Sequence, residues 1–252
     1  MLYKFYTAVD TATLIDRFRQ LVDDNALWAS DPRTFNDPFE CKVVLDLDAA
    51  TEVRRARYFC DNPNNSDDDF EGWNRGLDSG KWYVEQQVRA GIMGTHGIVC
   101  LTQKWDHELF WAHYGQHHTG FCVGFDRKAI AGWSEPHAFG DVQYLDDAPV
   151  FKYFTESPDD FVRKTVFSKS RAWSYEEEVR LLFEGSGLRT LPTGAVKEVT
   201  LGCRAPGGLR DLAKTYLRTA PFPLYQAAER LDRFRLTRYL IDPKVATMTS
   251  HF

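Results

Sequence analysis

The sequence holds no two cysteines close enough for a metal knuckle or a redox motif. Its five cysteines, Cys41, Cys60, Cys100, Cys122 and Cys203, are odd in number, and the nearest two stand nineteen residues apart. That spacing argues against zinc ribbons, thioredoxin-type chemistry and a disulfide framework. No run approaches the ~20 apolar residues that a membrane span requires. The opening Met-Leu-Tyr-Lys-Phe-Tyr lacks the apolar core of a secretory leader. A cytoplasmic location without a membrane partner is therefore expected. Positive charge is not in excess either: 31 Lys and Arg face 36 Asp and Glu, a formal charge of −5. Bulk attraction to nucleic acid needs a basic field, so that partner is disfavoured, although a local basic groove stays open. There is no G-x-x-x-x-G-K-[ST], and Gly91-Ile-Met-Gly-Thr-His-Gly97 is not G-x-G-x-x-G and precedes a strand pattern. No G-x-S-x-G elbow occurs, which leaves a hydrolase of that type unsupported.

What is present is an ordinary globular balance with many aromatics. Of 252 residues, 43% are hydrophobic, and 18 Phe, 11 Tyr and 7 Trp favour a packed body with a lined cleft. Leu2 to Tyr6 reads as a strand. A helix capped by Thr11 or Thr13 follows, with Leu14, Phe18, Leu21 and Val22 on its apolar face. Further strand patterns cover Ala26 to Ala29, Cys41 to Leu47, Gly97 to Thr102, Gly120 to Phe125, Val179 to Phe183, Val196 to Leu201, Leu224 to Glu229 and Phe234 to Leu240. Helical spacing covers Ala49 to Cys60, Lys81 to Ile92, Glu108 to Tyr114, Asp159 to Phe167 and Leu209 to Leu217. Strands and helices do not alternate regularly, so the expected class is α+β, a mostly antiparallel mixed sheet with flanking helices. A single domain over residues 1–252 is expected. The acidic stretch from Asp61 to Asp69 reads as a surface insertion, because nothing in it can bury.

Histidines concentrate at His107, His113, His117 and His118. On a continued helix His113 and His117 would share a face, but Gly115 interrupts, and no H-E-x-x-H completes a ligand set, so no metal is expected.

Four segments stand out: Phe35-Asn-Asp-Pro-Phe-Glu40, Trp111-Ala-His-Tyr-Gly115, Gly120-Phe-Cys-Val-Gly-Phe-Asp126 and Trp173-Ser-Tyr-Glu-Glu-Glu-Val-Arg180. With the opening Leu-Tyr-Lys-Phe they resemble, in order and from Leu2 to about Gly202, a widespread bacterial family (domain of unknown function twenty-nine seventy-one). That family looks like a remote relative of the ADP-ribosyltransferase fold. The resemblance implies a basic residue on the first strand, a hydroxyl on a middle strand and a glutamate before a later strand, converging on NAD. Lys4, Thr102, Glu176 and Glu178 match those positions. Lys4 departs from the Arg or His of the pattern, and Thr102 is isolated from any Ser-Thr-Ser.

The residues also argue for themselves. Val179, Leu181 and Phe183 alternate with Glu178, Arg180 and Leu182, and extending the strand backward puts Glu176 beside Glu178 and Arg180. Two carboxylates beside an arginine suit stabilisation of a sugar cation during cleavage of a ribosyl bond, and the second can position or deprotonate an acceptor. An exposed, ion-paired strand edge is the plain alternative. Asn36 and Asp37, flanked by Phe35 and Phe39, form either a rigid turn or a grip on ribose or base. Trp111 and Tyr114 share a helix face next to His113, as core or as a stacking wall. Lys169, upstream of Trp173, is either solvated or meets a pyrophosphate. Tyr3 belongs to the same set through the opening motif.

The leading expectation is an NAD-consuming enzyme, an ADP-ribosyltransferase-like protein or NAD glycohydrolase, acting as a bacterial toxin or phage-defence effector. NAD would be its substrate, with an unspecified macromolecular acceptor. A non-catalytic nucleotide- or protein-binding module is the alternative, and a metal-dependent hydrolase or nuclease the third reading.

Overall fold

The computed structural model describes residues 1–241, the side chains of Asp78, Trp82, Val84 and Val88 aside. In chain order the elements are β1 (Leu2–Tyr6), α1 (Thr11–Val22), β2 (Ala26–Ala29), β3 (Val44–Asp46), α2 (Thr51–Asp61), α3 (Asp67–Thr95) and β4 (His96–Thr102). Next come α4 (Glu108–His113), β5 (Phe121–Phe125), α5 (Arg127–Ala131), β6 (Ala138–Asp141), β7 (Gln143–Leu145), β8 (Val150–Lys152), α6 (Pro158–Val166) and β9 (Ser168–Ser170). The chain continues through β10 (Glu178–Glu184), β11 (Gly187–Thr190), β12 (Val196–Leu201), α7 (Gly207–Thr215), β13 (Leu224–Glu229) and β14 (Leu236–Leu240). The class is α+β, as the unalternating pattern implied.

One eight-stranded sheet organises the molecule, in the order β14-β13-β12-β5-β1-β4-β10-β6. Only β12 and β13 run parallel; the other neighbours are antiparallel. Period-two alternation gives the sheet two unlike faces. One face carries Leu2, Tyr6, Val99, Leu101, Val123, Phe125, Val179, Leu181, Phe183, Val199 and Leu201 into the main core. That core is closed by Leu14, Phe18 and Leu21 of α1 and Leu209 and Ala213 of α7. The other face carries Ile98 and Leu182, packed with Cys41, Ile92, Val166 and Phe167, and beside them the polar residues Thr102, Glu178 and Arg180.

Two helix starts are corrected, those of α1 and α3. The cap of α1 is Asp10, whose carboxylate accepts from Thr13 N at 2.8 Å, an N-terminal acceptor as good as a hydroxyl. The acidic stretch from Asp61 to Asp69 is exposed throughout and carries local structure. Its second half opens α3, where Ser66 and Asp69 form a reciprocal capping box and Asp67, Asp68 and Asp69 occupy the first turn. Three carboxylates there complement the positive end of the helix macrodipole, a use of acidic residues that needs no burial. Asn65 donates to Tyr58 Oη at 2.7 Å, and Arg55 pairs with Asp67, so the turn is tied to α2. Helix α3 begins fourteen residues before the expected Lys81, at the Ser66 cap, and Gly72, Gly76 and Gly80 inside it mask its helical spacing in the sequence.

Candidate functional site

Strand β4 is paired with β10 along its whole length, from Glu178↔Thr102 to Glu184↔His96, but with β1 only at Tyr3↔Thr102. Tyr3, Thr102 and Glu178 therefore form one row on the polar-bearing face, and Cys100 and Arg180 the next. Beside this row opens a cavity of about 410 Å³ that reaches into the gap between β1 and β4. Phe35, Phe110, Tyr3, Phe5 and Tyr114 contribute aromatic walls, and Glu40, Glu176, Glu178 and Lys169 a charged floor.

The floor is a buried ionic cluster. Lys169 Nζ lies 2.6 Å from Glu176, 3.1 Å from Glu178 and 3.4 Å from Glu40. Arg180, with no solvent exposure, donates through Nε to Glu178 Oε1 at 2.7 Å and through one terminal nitrogen to both oxygens of Glu40 at 2.9 and 2.8 Å. Its other terminal nitrogen donates to the Val166 carbonyl at 2.7 Å. Tyr114 Oη donates to Glu176 Oε1 at 2.6 Å. Glu178 N donates to Tyr144 Oη at 2.8 Å, which fixes the start of β10.

Electrostatics separates the two central carboxylates. Burial alone would push Glu178 up, but Arg180 and Lys169 outweigh it and hold the group at about 2. Glu176 ends above the ordinary carboxylate range, because burial exceeds the pull of Lys169 and of the hydrogen bonds it accepts. Lys169 is pushed down by burial and further up by Glu178, Glu40 and Glu176, so its ammonium is held firmly. Burial, then Glu176, raises the Tyr114 phenol.

The backbone route to this arrangement differs from the alternation read in the sequence. Glu176 ends a 3₁₀ turn over Arg171–Glu176, and Glu177 adopts a left-handed conformation at φ 43° before β10 begins at Glu178. Glu176 and Glu178 thus reach Lys169 from a turn and a strand, not from one strand face. Nor is this a solvated sheet edge. β10 lies between β4 and β6, and Glu178 is 4% exposed.

Of the sequence candidates, Lys4, Thr102, Glu176, Glu178, Tyr3, Asn36, His113, Tyr114 and Lys169 line the cavity. Their placements are unequal. Thr102 Oγ1 donates to the Glu176 carbonyl at 2.7 Å, so it ties the turn to β4. Lys4 has the parity of Leu2 and Tyr6, its Nζ stands 5.8 Å from the Tyr6 ring, and burial lowers its pKa. It sits at the cavity but outside the ionic cluster, where Lys169 supplies the ammonium. His113 is exposed beside the cavity, at the end of α4. Gln116, His117 and His118 all turn left-handed after it, so His113 and His117 do not share a helix face.

Five candidates do not line the cavity. Trp111 is fully buried against Phe5, donating Nε1 to the Trp105 carbonyl at 2.7 Å; a large apolar ring on an inward helix face goes to the core. Phe39 projects outward at 61% exposure, because the Asp37-Pro38 turn, fixed by Asp37 Oδ1 accepting from Phe39 N at 2.9 Å, aims it away. Asp37 is accordingly a turn residue. Trp173 stacks outside Lys169, 5.1 Å from its Nζ. Arg180 lies beneath the floor as the partner of Glu40 and Glu178.

Residues missed by the sequence reading are Glu40, Cys100, Phe35 and Phe110 as cavity walls. Glu40 closes the Phe35-to-Glu40 segment, and its acid beside an Asn-Asp-Pro turn was the available signal. Burial, then Glu178, pushes the Cys100 thiol far up, so it stands in the cavity as a neutral group.

No curated protein and no solved structure matches the chain. Residues 110–181, which carry Tyr114, Lys169, Glu176, Glu178 and Arg180, match the model of a family described as "Protein of unknown function (DUF2971)".

Proposed function

We propose that the cavity binds a nucleotide of the NAD class and cleaves its bond between nicotinamide and ribose, with water or a macromolecular acceptor taking the ADP-ribose. The observation that carries this reading is the convergence of Glu176 and Glu178, from a turn and a strand, on one aromatic-walled cavity of about 410 Å³. That size lies in the ~300–1,000 Å³ range of small-molecule sites. Cleavage of a ribosyl bond makes positive charge on the sugar, and a preorganised carboxylate lowers the energy of that charge at no cost in reorganisation. Glu178 is the fixed anion in this scheme. Glu176, raised by burial and hydrogen-bonded to Tyr114, is the group suited to move a proton from the acceptor. Asn36 lines the same cavity as Tyr114. Aromatic walls suit stacking of a planar base.

One observation favours a non-catalytic nucleotide-binding module instead. Both oxygens of Glu178 already accept from Arg180, and Lys169 adds a further donor, so this carboxylate has little left for a substrate. Release of nicotinamide from NAD by the purified protein separates the two. Release that stops in a Glu178→Gln variant supports the enzyme; retention of NAD without release supports the module. The toxin and phage-defence readings rest on that turnover, and relief of growth arrest by the same substitution is their test.

A further inference from the structure

Far from the cavity, β13 and β14 form a hairpin at the end of the sheet, paired from Tyr225↔Leu240 to Glu229↔Leu236. Three strands separate β14 from β1. The hairpin is closed by Arg230 N donating to the Arg235 carbonyl at 3.0 Å, which leaves Leu231 to Phe234 as its tip. Leu231 is 105% exposed and Phe234 99%, the two most exposed large hydrophobic residues of the described chain. Three arginines, Arg230, Arg233 and Arg235, surround them against a single acid, Asp232. Asp232 clamps two of these, accepting from Arg230 at 2.8 and 3.0 Å and from Arg233 at 3.0 Å. A protein with a formal charge of −5 thus ends one edge of its sheet in a basic tip with two bare apolar side chains.

We propose that this tip docks the protein on an anionic lipid surface, with Leu231 and Phe234 entering the acyl boundary and the arginines meeting phosphate headgroups. The tip is convex, and a fluid bilayer accommodates a convex apolar probe where a protein partner would need a matching pocket. Arginine stems lie along apolar surface while their guanidinium groups stay with phosphate. Leucine adds to lipid contact but has nothing to offer a nucleic-acid base, which favours lipid among phosphate-bearing surfaces. The lack of an apolar run long enough to span does not bear on such contact, since a surface tip lies on the membrane.

Sedimentation of the full chain with vesicles tests this, using phosphatidylcholine alone and phosphatidylcholine partly replaced by phosphatidylglycerol. The parent is expected to bind the anionic vesicles at least about tenfold more strongly than the neutral ones. A Leu231→Ser/Phe234→Ser double variant is expected to lose about tenfold of that binding with an unchanged melting temperature, since neither side chain packs on the body. Phe234→Trp gives a direct readout: bromine-labelled acyl chains should quench its added fluorescence. Equal binding to both vesicles, undiminished binding by the double variant, or an unquenched Trp overturns the proposal. So does a DNA duplex that the parent retains and the double variant loses while neither binds anionic vesicles, which would assign the tip to nucleic acid.

Discussion

Two clusters of charge lie on the same sheet, and they are built on opposite plans. At the β12–β14 end, Arg238 meets Glu198 one to one, through both of its terminal nitrogens at 2.6 and 3.0 Å. Its guanidinium is sandwiched 4.4 Å from the Trp105 ring and 4.3 Å from Tyr225. Every charge there has one partner, and aromatic rings close the sides. At the β4–β10 side, three carboxylates share Lys169 and Arg180, and one side opens on a cavity. A closed pair of matched charge ties the edge strand β14 across β13 to β12. Three acids against two bases, buried beside open space, leave a net negative charge at the cavity floor. Tyr3 bridges the two, lining the cavity while burial and Glu198 push its phenol up to about 12.

The comparison breaks most readily at Arg180. Arg180→Met leaves Glu40 and Glu178 buried without their arginine, and a broken buried pair typically costs about 3–5 kcal/mol. For a chain of this length that lowers the melting temperature by roughly ten degrees, measurable by calorimetry. A melting point within a degree of the parent's would show that the cluster carries no strain of unpaired charge.

Glu178→Gln is expected to reduce nicotinamide release about a hundredfold, near 3 kcal/mol of transition-state stabilisation. Because the residue is buried, the same variant should also lose stability, unlike an exposed strand-edge carboxylate. Glu177→Gln is its control. Glu177 is partly exposed and, among the described residues, pairs only with Lys104, so activity and melting should stay close to the parent's.

Acid titration sharpens the contrast between the two carboxylates. The held-down Glu178 stabilises the fold above the unfolded carboxyl value of about 4.3, and this contribution disappears as pH falls toward about 2. The raised Glu176 has the opposite sign: its contribution is present below the unfolded value and is lost as pH rises through its folded value. Unfolding midpoints followed from neutral to acid pH should therefore fall less steeply in Glu178→Gln than in the parent. Equal slopes would remove Glu178 as a linked group.

The closed pair should be the milder lesion. Arg238→Lys keeps the charge but loses the bidentate fork and the stacking, for about 1–2 kcal/mol, with nicotinamide release unchanged. Smallest of all, Ser66→Ala removes one side of the α3 capping box and costs about 1 kcal/mol in urea unfolding.

These outcomes also measure what the sequence disclosed. Strands with strict alternation or a buried apolar run, such as Leu2 to Tyr6 and Val196 to Leu201, are legible residue by residue because burial of one face dictates their pattern. The three- and four-residue strands β6, β7, β8, β9 and β11 carry no such pattern and exist through pairing. Glu176, Glu178 and Lys169 were legible as charges of the right kind near one another. Their burial was not, because it depends on Glu40, which pairs across 140 residues. The left-handed turn at Glu177 was equally hidden, since a non-glycine residue in that conformation has no signature in composition.

That long pairing has a consequence for the order of assembly. A nascent chain is delivered from its N-terminus, so Glu40 and Tyr114 are available well before the strand that carries Arg180. β10 then has to take its place between β4 and β6 before the floor of the cavity exists. Until it does, Glu40 is an ordinary hydrated carboxylate, and closing so long a loop must precede any reward from the contacts it brings. A chain cut short before residue 180 would hold Glu40, Lys169, Glu176 and Glu178 but lack Arg180 and most of the strand that pairs β4. The ionic cluster is a property of the finished protein, completed in one late step.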